Sequence, residues 1–201
     1  MKIRLFHLLL LFMILSITAK GQTGEHMIGL KTAFNLSSMS ISNRSEIGQV
    51  NTKKNFSLVY TYYHDIWKAI PNAGFQAALS YEEQGYILNE QRYDYTLVKV
   101  PLTSQFHLDF WKMRLLINLG CFGGYRCKSV SGFADDDYRL DYGFLAGGGL
   151  GLHLKPFEIH LESNYHYSLS YMFDTKRYSQ TDLVFTNPYQ ILLSVALYVH
   201  L

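Results

Sequence analysis

Apolar and polar residues alternate along most of this chain. Residues 189–201 set Tyr189, Ile191, Leu193, Val195, Leu197, Val199 and Leu201 against Gln190, Leu192, Ser194, Ala196, Tyr198 and His200. A period of two is that of a β-strand with one greasy face. Seven further segments repeat it: 28–37, 56–65, 74–86, 95–110, 113–128, 138–154 and 157–171. The segment 157–171 aligns Phe157, Ile159, Leu161, Tyr165, Tyr167, Leu169 and Tyr171 against Glu158, His160, Glu162, Asn164, His166 and Ser168. Pro101, on the polar side of the fourth segment, removes a ladder donor and predicts a bulge or kink.

The connections alternate in length. Trp111-Lys112 and Lys155-Pro156 are two-residue links, and a modest segment runs over 67–72. Longer polar stretches cover 38–55, 85–94, 129–137 and 172–188. Short turns at one end and long loops at the other are the pattern of an eight-stranded antiparallel transmembrane β-barrel. Both chain ends then lie on the periplasmic side.

Alternation alone does not say whether the apolar face meets lipid or a core. A soluble lipocalin-like barrel would turn it inward. Three features favour lipid. The polar face carries mostly Gly, Ser, Asn, Gln and His, whereas a solvated surface carries more charge. Aromatic residues gather at strand ends: Trp67, Phe110, Trp111 and Phe157 on one rim, and Tyr125, Tyr138, Tyr171, Phe173 and Tyr189 towards the other. Every strand is long enough to cross a membrane when tilted.

Composition and the amino terminus agree with that reading. Charged residues are 17% of the 201, low against about 25% for soluble domains. The net charge of +2 offers no case for nucleic acid. Lys2 and Arg4 precede an apolar run over 5–17, followed by Ala19, Lys20 and Gly21. The run is shorter than the roughly 20 residues of a membrane span. Residues 1–21 therefore read as a signal peptide cleaved after Gly21, and 22–201 as one barrel domain of a Gram-negative outer membrane. Cys121 and Cys127 on one strand would stand about 20 Å apart, beyond the roughly 7 Å reach of a disulfide, so free thiols are expected.

Five stretches stand out as motifs: GLKTAFNLS over 29–37, FQAALSYEEQG over 75–85, LVKVPL over 97–102, the Gly-rich stretch 142–152 and the final strand. In these the chain resembles the PorT-like outer-membrane β-barrel proteins of the Bacteroidota. It implies a barrel and, through the group's namesake, a link to protein secretion. It implies no reaction.

The candidate chemistry is sparse. Lys99, Arg114, Arg126, Arg139, Asp141, Glu158 and Glu162 are expected to face the lumen with Glu82 beside them. Buried charges need partners, so they predict an ion-pair network that plugs the barrel. Eight strands leave no room for an aqueous channel. His153, His160 and His166 share the inner face, with His200 near the periplasmic exit; hydrogen-bonded interior histidines are the expectation, with no metal or other cofactor. His166 and Ser168, with Glu162, could form a hydrolytic set, but a lipid-modifying enzyme needs it facing lipid. Asp135, Asp136 and Asp137 form a short acidic run that could ligate Ca²⁺ but reads as a solvated loop. Phe173, Arg177, Tyr178 and Phe185 lie in a loop suited to a partner. The expectation is a non-enzymatic integral outer-membrane protein, structural or accessory, contacting lipid and, through its loops, other envelope or secretion proteins.

Overall fold

The computed structural model describes residues 24–42, 47–64, 73–175 and 184–201. The expected signal peptide, Trp67, Arg177 and Tyr178 lie outside these residues. Eight strands follow in order: β1 Glu25–Ile41, β2 Gly48–His64, β3 Ala73–Leu88, β4 Gln91–Phe110, β5 Met113–Ser129, β6 Leu140–Leu154, β7 Phe157–Ser168 and β8 Thr186–His200. Each pairs antiparallel with its sequence neighbour, and β1 closes on β8 from Met27↔His200 to Ile41↔Thr186. The closed ring leaves no edge strand, which removes the aggregation hazard of unpaired backbone.

The faces are those the alternation predicts. Leu30 is 70% exposed, and Phe56, Leu79, Phe144, Leu161 and Leu193 also point outward. The polar residues between them are buried: Gln76, Gln105, Asn118, Asn164 and Gln190 line the interior. A continuous apolar wall of this kind has no place on a soluble monomer, whereas it matches a hydrocarbon surround. Phe110, Trp111 and Phe157 mark one rim, and Tyr125 and Tyr138 stand exposed towards the other. Cys121 and Cys127 are free and exposed.

Several expectations need correction. The stretch 85–94 is no loop: β3 and β4 run on to a two-residue turn, Asn89-Glu90, with φ of 49° and 65°. Two positive φ values fit the twist of a tight hairpin; here the turn uses Asn where a sequence search looks for Gly. The stretch 38–55 is likewise mostly strand, so β1 and β2 rise well past the apolar wall. Pro101 makes no bulge. Both ladders keep register across it, and only the β3 pairing lapses between Ala77↔Leu102 and Ser80↔Lys99. The register shifts fall between Ala33 and Asn35, between Gln49 and Phe56, and between Thr96 and Leu97.

Small residues let β6 approach its neighbours. A Cβ on Gly147 would stand 2.2 Å from Asn164 Oδ1 and 2.3 Å from the Ser163 carbonyl. Gly147→Val is therefore expected to cost about 1–3 kcal/mol through overpacking. The measurement is the temperature at which the folded gel band converts to the unfolded one. An unchanged temperature would mean that β6 has room to spare.

Candidate functional site

Among the described residues, the interior concentrates titratable side chains. They form two clusters. Towards the loop end, Lys99 on β4 stands 3.3 Å from Glu82 on β3 and 3.1 Å from Asp141 on β6. Arg126 on β5, with no solvent exposure, pairs with Asp141 at 3.0 Å and donates to the carbonyls of Tyr138 and Leu140. Gln190 on β8 donates to Glu82 at 2.7 Å, and the Lys99 ammonium lies over the Phe122 ring. Two cations face two carboxylates, so the charges balance.

Towards the turn end, Arg114 on β5 reaches Asp109 at 2.8 Å, Glu25 at 3.5 Å and Glu158 at 3.3 Å. Lys31 on β1 pairs with Glu162 on β7 at 3.0 Å. His160 sits between the two β7 carboxylates, 2.8 Å from Glu158 and 3.6 Å from Glu162. Asn118 donates to Glu162 and Asn164, and accepts from Gln105, which in turn accepts from Tyr63. Such partners are what a buried charge requires.

Between the clusters lies a cavity of about 40 Å³ bordered by Lys31, Glu82, Asn118 and Asn164. At roughly 10–15 Å³ per water it holds a few molecules and no more. Above the upper cluster, inward-facing Met39, Ile41, Leu88, Tyr95 and Leu97 pack with Met172 and Phe173. The polar interior is thus capped by an apolar plug at the loop end.

Most sequence-predicted residues lie where the alternation puts them. Glu82, Lys99, Arg114, Arg126, Asp141, Glu158 and Glu162 are all buried inside. Arg139 is not. Strand β6 begins only at Leu140, so Arg139 lies beyond the barrel and stacks over the Phe133 ring. Phe173 belongs to neither an aromatic rim nor an exposed partner surface. The chain after β7 abandons alternation and turns across the mouth, held by bonds from Tyr138 to Met172 and from Met172 to Thr186, which bury Phe173.

The histidines do not gather as one set. His166 bonds Gln190 and stacks on Phe122, away from His160 and His153. Among the described residues no hydrogen bond joins His166 to Ser168, and both side chains are buried in the lumen. Among the described residues, Asp135, Asp136 and Asp137 belong to no converging set of ligand atoms; Asp137 accepts the Ala134 amide at 2.9 Å. One set that the pattern did not single out does converge: His153, Glu158 and His200 have ligand atoms within 4.8 Å of one another. An open cleft of about 310 Å³ also lies at the loop end, lined by Tyr86, Tyr93, Tyr95 and Phe133.

An antiparallel eight-stranded ring with lipid-compatible outer residues and a filled polar interior is an outer-membrane-type barrel. Three solved structures are similar to this chain, and the first of them supports the fold. Neisserial surface protein A superposes with a TM-score of 0.53 at 13% identity, covering 87% of this chain and 96% of that one. The attachment invasion locus protein Ail of Yersinia pestis, solved with the heparin analogue sucrose octasulfate, gives 0.45 at 16% identity over 86% and 99% of the two chains. The amino-terminal β-barrel domain of Pseudomonas aeruginosa OprF gives 0.45 at 8% identity over 89% and 100%. No family model matches this chain, and no curated protein matches it.

Proposed function

We propose that this protein is a non-enzymatic integral outer-membrane barrel, serving the envelope of a Gram-negative bacterium as a structural or accessory component. One observation carries the reading: the barrel is filled along its length. Among the described residues, ion pairs and amides occupy the lumen, an apolar plug occupies the loop end, and the cavity between the two clusters is about 40 Å³. Such an interior neither conducts solute nor admits a substrate. The apolar wall is left to face lipid, and the loop end to face protein partners.

The loop-end cleft supports a partner role, because half-buried Tyr93 and Phe133 with exposed Arg139 over the Phe133 ring are residue types that interfaces favour. Resemblance of the 29–37, 75–85 and 97–102 motifs to the PorT-like group extends this to an accessory of protein secretion across the outer membrane. The test begins with cell fractionation and a heat-modifiability gel. Recovery in the outer membrane, with a faster-migrating unheated band, is expected; a soluble periplasmic protein without that shift overturns the reading. Incubation of the folded barrel with lipid A is expected to leave the lipid unchanged, and a deacylated product would replace this reading with an enzymatic one.

A further inference from the structure

We infer that the turn-end mouth of the barrel holds a divalent transition-metal site, formed by His153, Glu158 and His200, with Zn²⁺ as its natural occupant. The three residues come from three consecutive strands. His153 pairs directly with Glu158 across the Lys155-Pro156 turn, and the backbone amide of His200 donates to the Pro156 carbonyl. The backbone therefore fixes all three positions before any side chain is considered.

The side chains then aim at one point. His153 Nδ1 lies 3.1 Å from Glu158 Oε2, and His200 Nε2 lies 3.3 Å from the same oxygen. Zinc bonds of about 2.0–2.1 Å in a tetrahedron set ligand-to-ligand edges of about 3.3–3.4 Å; the two histidine-to-Glu158 separations lie close to that, and all three ligand atoms fall within 4.8 Å of one another. His200 Nε2 is also buried without a hydrogen-bond partner. A nitrogen that faces a carboxylate at 3.3 Å and makes no hydrogen bond to it is placed as a metal ligand would be. Two histidines and one glutamate leave a fourth position open, as in zinc sites that keep a water.

The supporting groups fit as well. Glu158 Oε1 is held by His160 Nε2 at 2.8 Å, while Arg114 Nη1 lies near both carboxylate oxygens. Outer groups of this sort fix the orientation of a ligating carboxylate. Charge is compatible with a cation. The turn-end cluster sets Lys31 and Arg114 against buried Glu158 and Glu162, and half-exposed Glu25 and Asp109 add negative charge where the mouth opens. Access is open, because the His153 and His200 side chains are 25% and 17% exposed at the mouth.

The test uses the full barrel, folded in detergent and stripped with chelator. Equilibrium dialysis against ZnCl₂ is expected to give one saturable equivalent per barrel. Co²⁺ is expected to give the intense visible bands of tetrahedral coordination. His153→Gln with His200→Gln should weaken binding at least tenfold, whereas His166→Gln, remote from the site, should not. A heat-modifiability gel run on each variant keeps loss of the site apart from loss of the fold. Three results would overturn the inference: no saturable equivalent in the unaltered barrel, a weak octahedral Co²⁺ spectrum, or affinity that survives the double substitution in a folded barrel.

Discussion

Asp141→Asn, in barrels folded into lipid vesicles and unfolded with guanidinium, is expected to cost about 3–5 kcal/mol. Asp141 receives Arg126 at 3.0 Å, Lys99 at 3.1 Å and the Ser170 hydroxyl at 3.1 Å, with almost no solvent near any of them. Neutralising it leaves two buried cations with Glu82 as their one carboxylate in the cluster. The size follows from the asymmetry of buried ion pairs. Forming one brings little net gain, but removing one partner strands the other charge in a poor dielectric. A second substitution makes the cause visible. Lys99→Met in the Asp141→Asn background restores the charge balance and should recover part of the loss, giving a coupling energy above about 1 kcal/mol in the double-mutant cycle. A single-mutant cost below 1 kcal/mol would mean that water reaches the cluster and that the lumen is looser than its packing implies.

Leu193→Arg should be nearly as costly, for a different reason. Leu193 lies midway along β8, half exposed, between Phe34 of β1 and Ser163 of β7. If that face meets hydrocarbon, an arginine there costs about 2–4 kcal/mol in vesicles. The same change at Val130, exposed in the β5–β6 loop, should fall within about 0.5 kcal/mol of no effect. Equal, small effects at the two positions would show the β8 face to be in water, and the transmembrane reading would fall with it.

Much of this molecule was legible in its alternation. A single parity rule placed Lys99, Asp141, Glu158, Glu162, His160 and His166 inside, because in a strand parity alone decides the face. The two-residue links at Trp111-Lys112 and Lys155-Pro156 were equally plain. Parity fails where strands end. Arg139 has the right parity for the lumen, but the barrel stops one residue later. Phe173 has the right chemistry for a rim, but its segment crosses the mouth instead of continuing the strand. Asn89-Glu90 hid because it carries positive φ without glycine. The polar residues of β2, such as Thr52, Lys53 and Lys54, read as loop because that part of the strand stands clear of the apolar wall and needs no greasy face.

The convergence of His153, Glu158 and His200 was half visible. Their first two members are joined by a recognised turn, so their pairing could have been deduced. The third depends on the β7–β8 register, from Phe157↔Val199 upward, and on closure of the ring. No local pattern reports that register, since it is set across a 17-residue connection (169–185).

The interior bonds have a mechanical consequence. Lys31 to Glu162 joins β1 to β7, Lys99 to Asp141 joins β4 to β6, Arg114 to Glu158 joins β5 to β7, and Gln190 to Glu82 joins β8 to β3. None of these links neighbouring strands. Three of them skip one strand of the ring and one skips two, so they brace it as chords brace a hoop. A bare hoop of hydrogen-bonded strands can be squeezed to an ellipse by uneven lateral pressure from the bilayer, because every ladder bond survives the change of shape. A braced hoop resists this, since flattening it changes the span of its chords and strains those charged contacts. This barrel should therefore resist changes in its cross-section as membrane tension varies, and present its loop end to neighbours as a stiff platform.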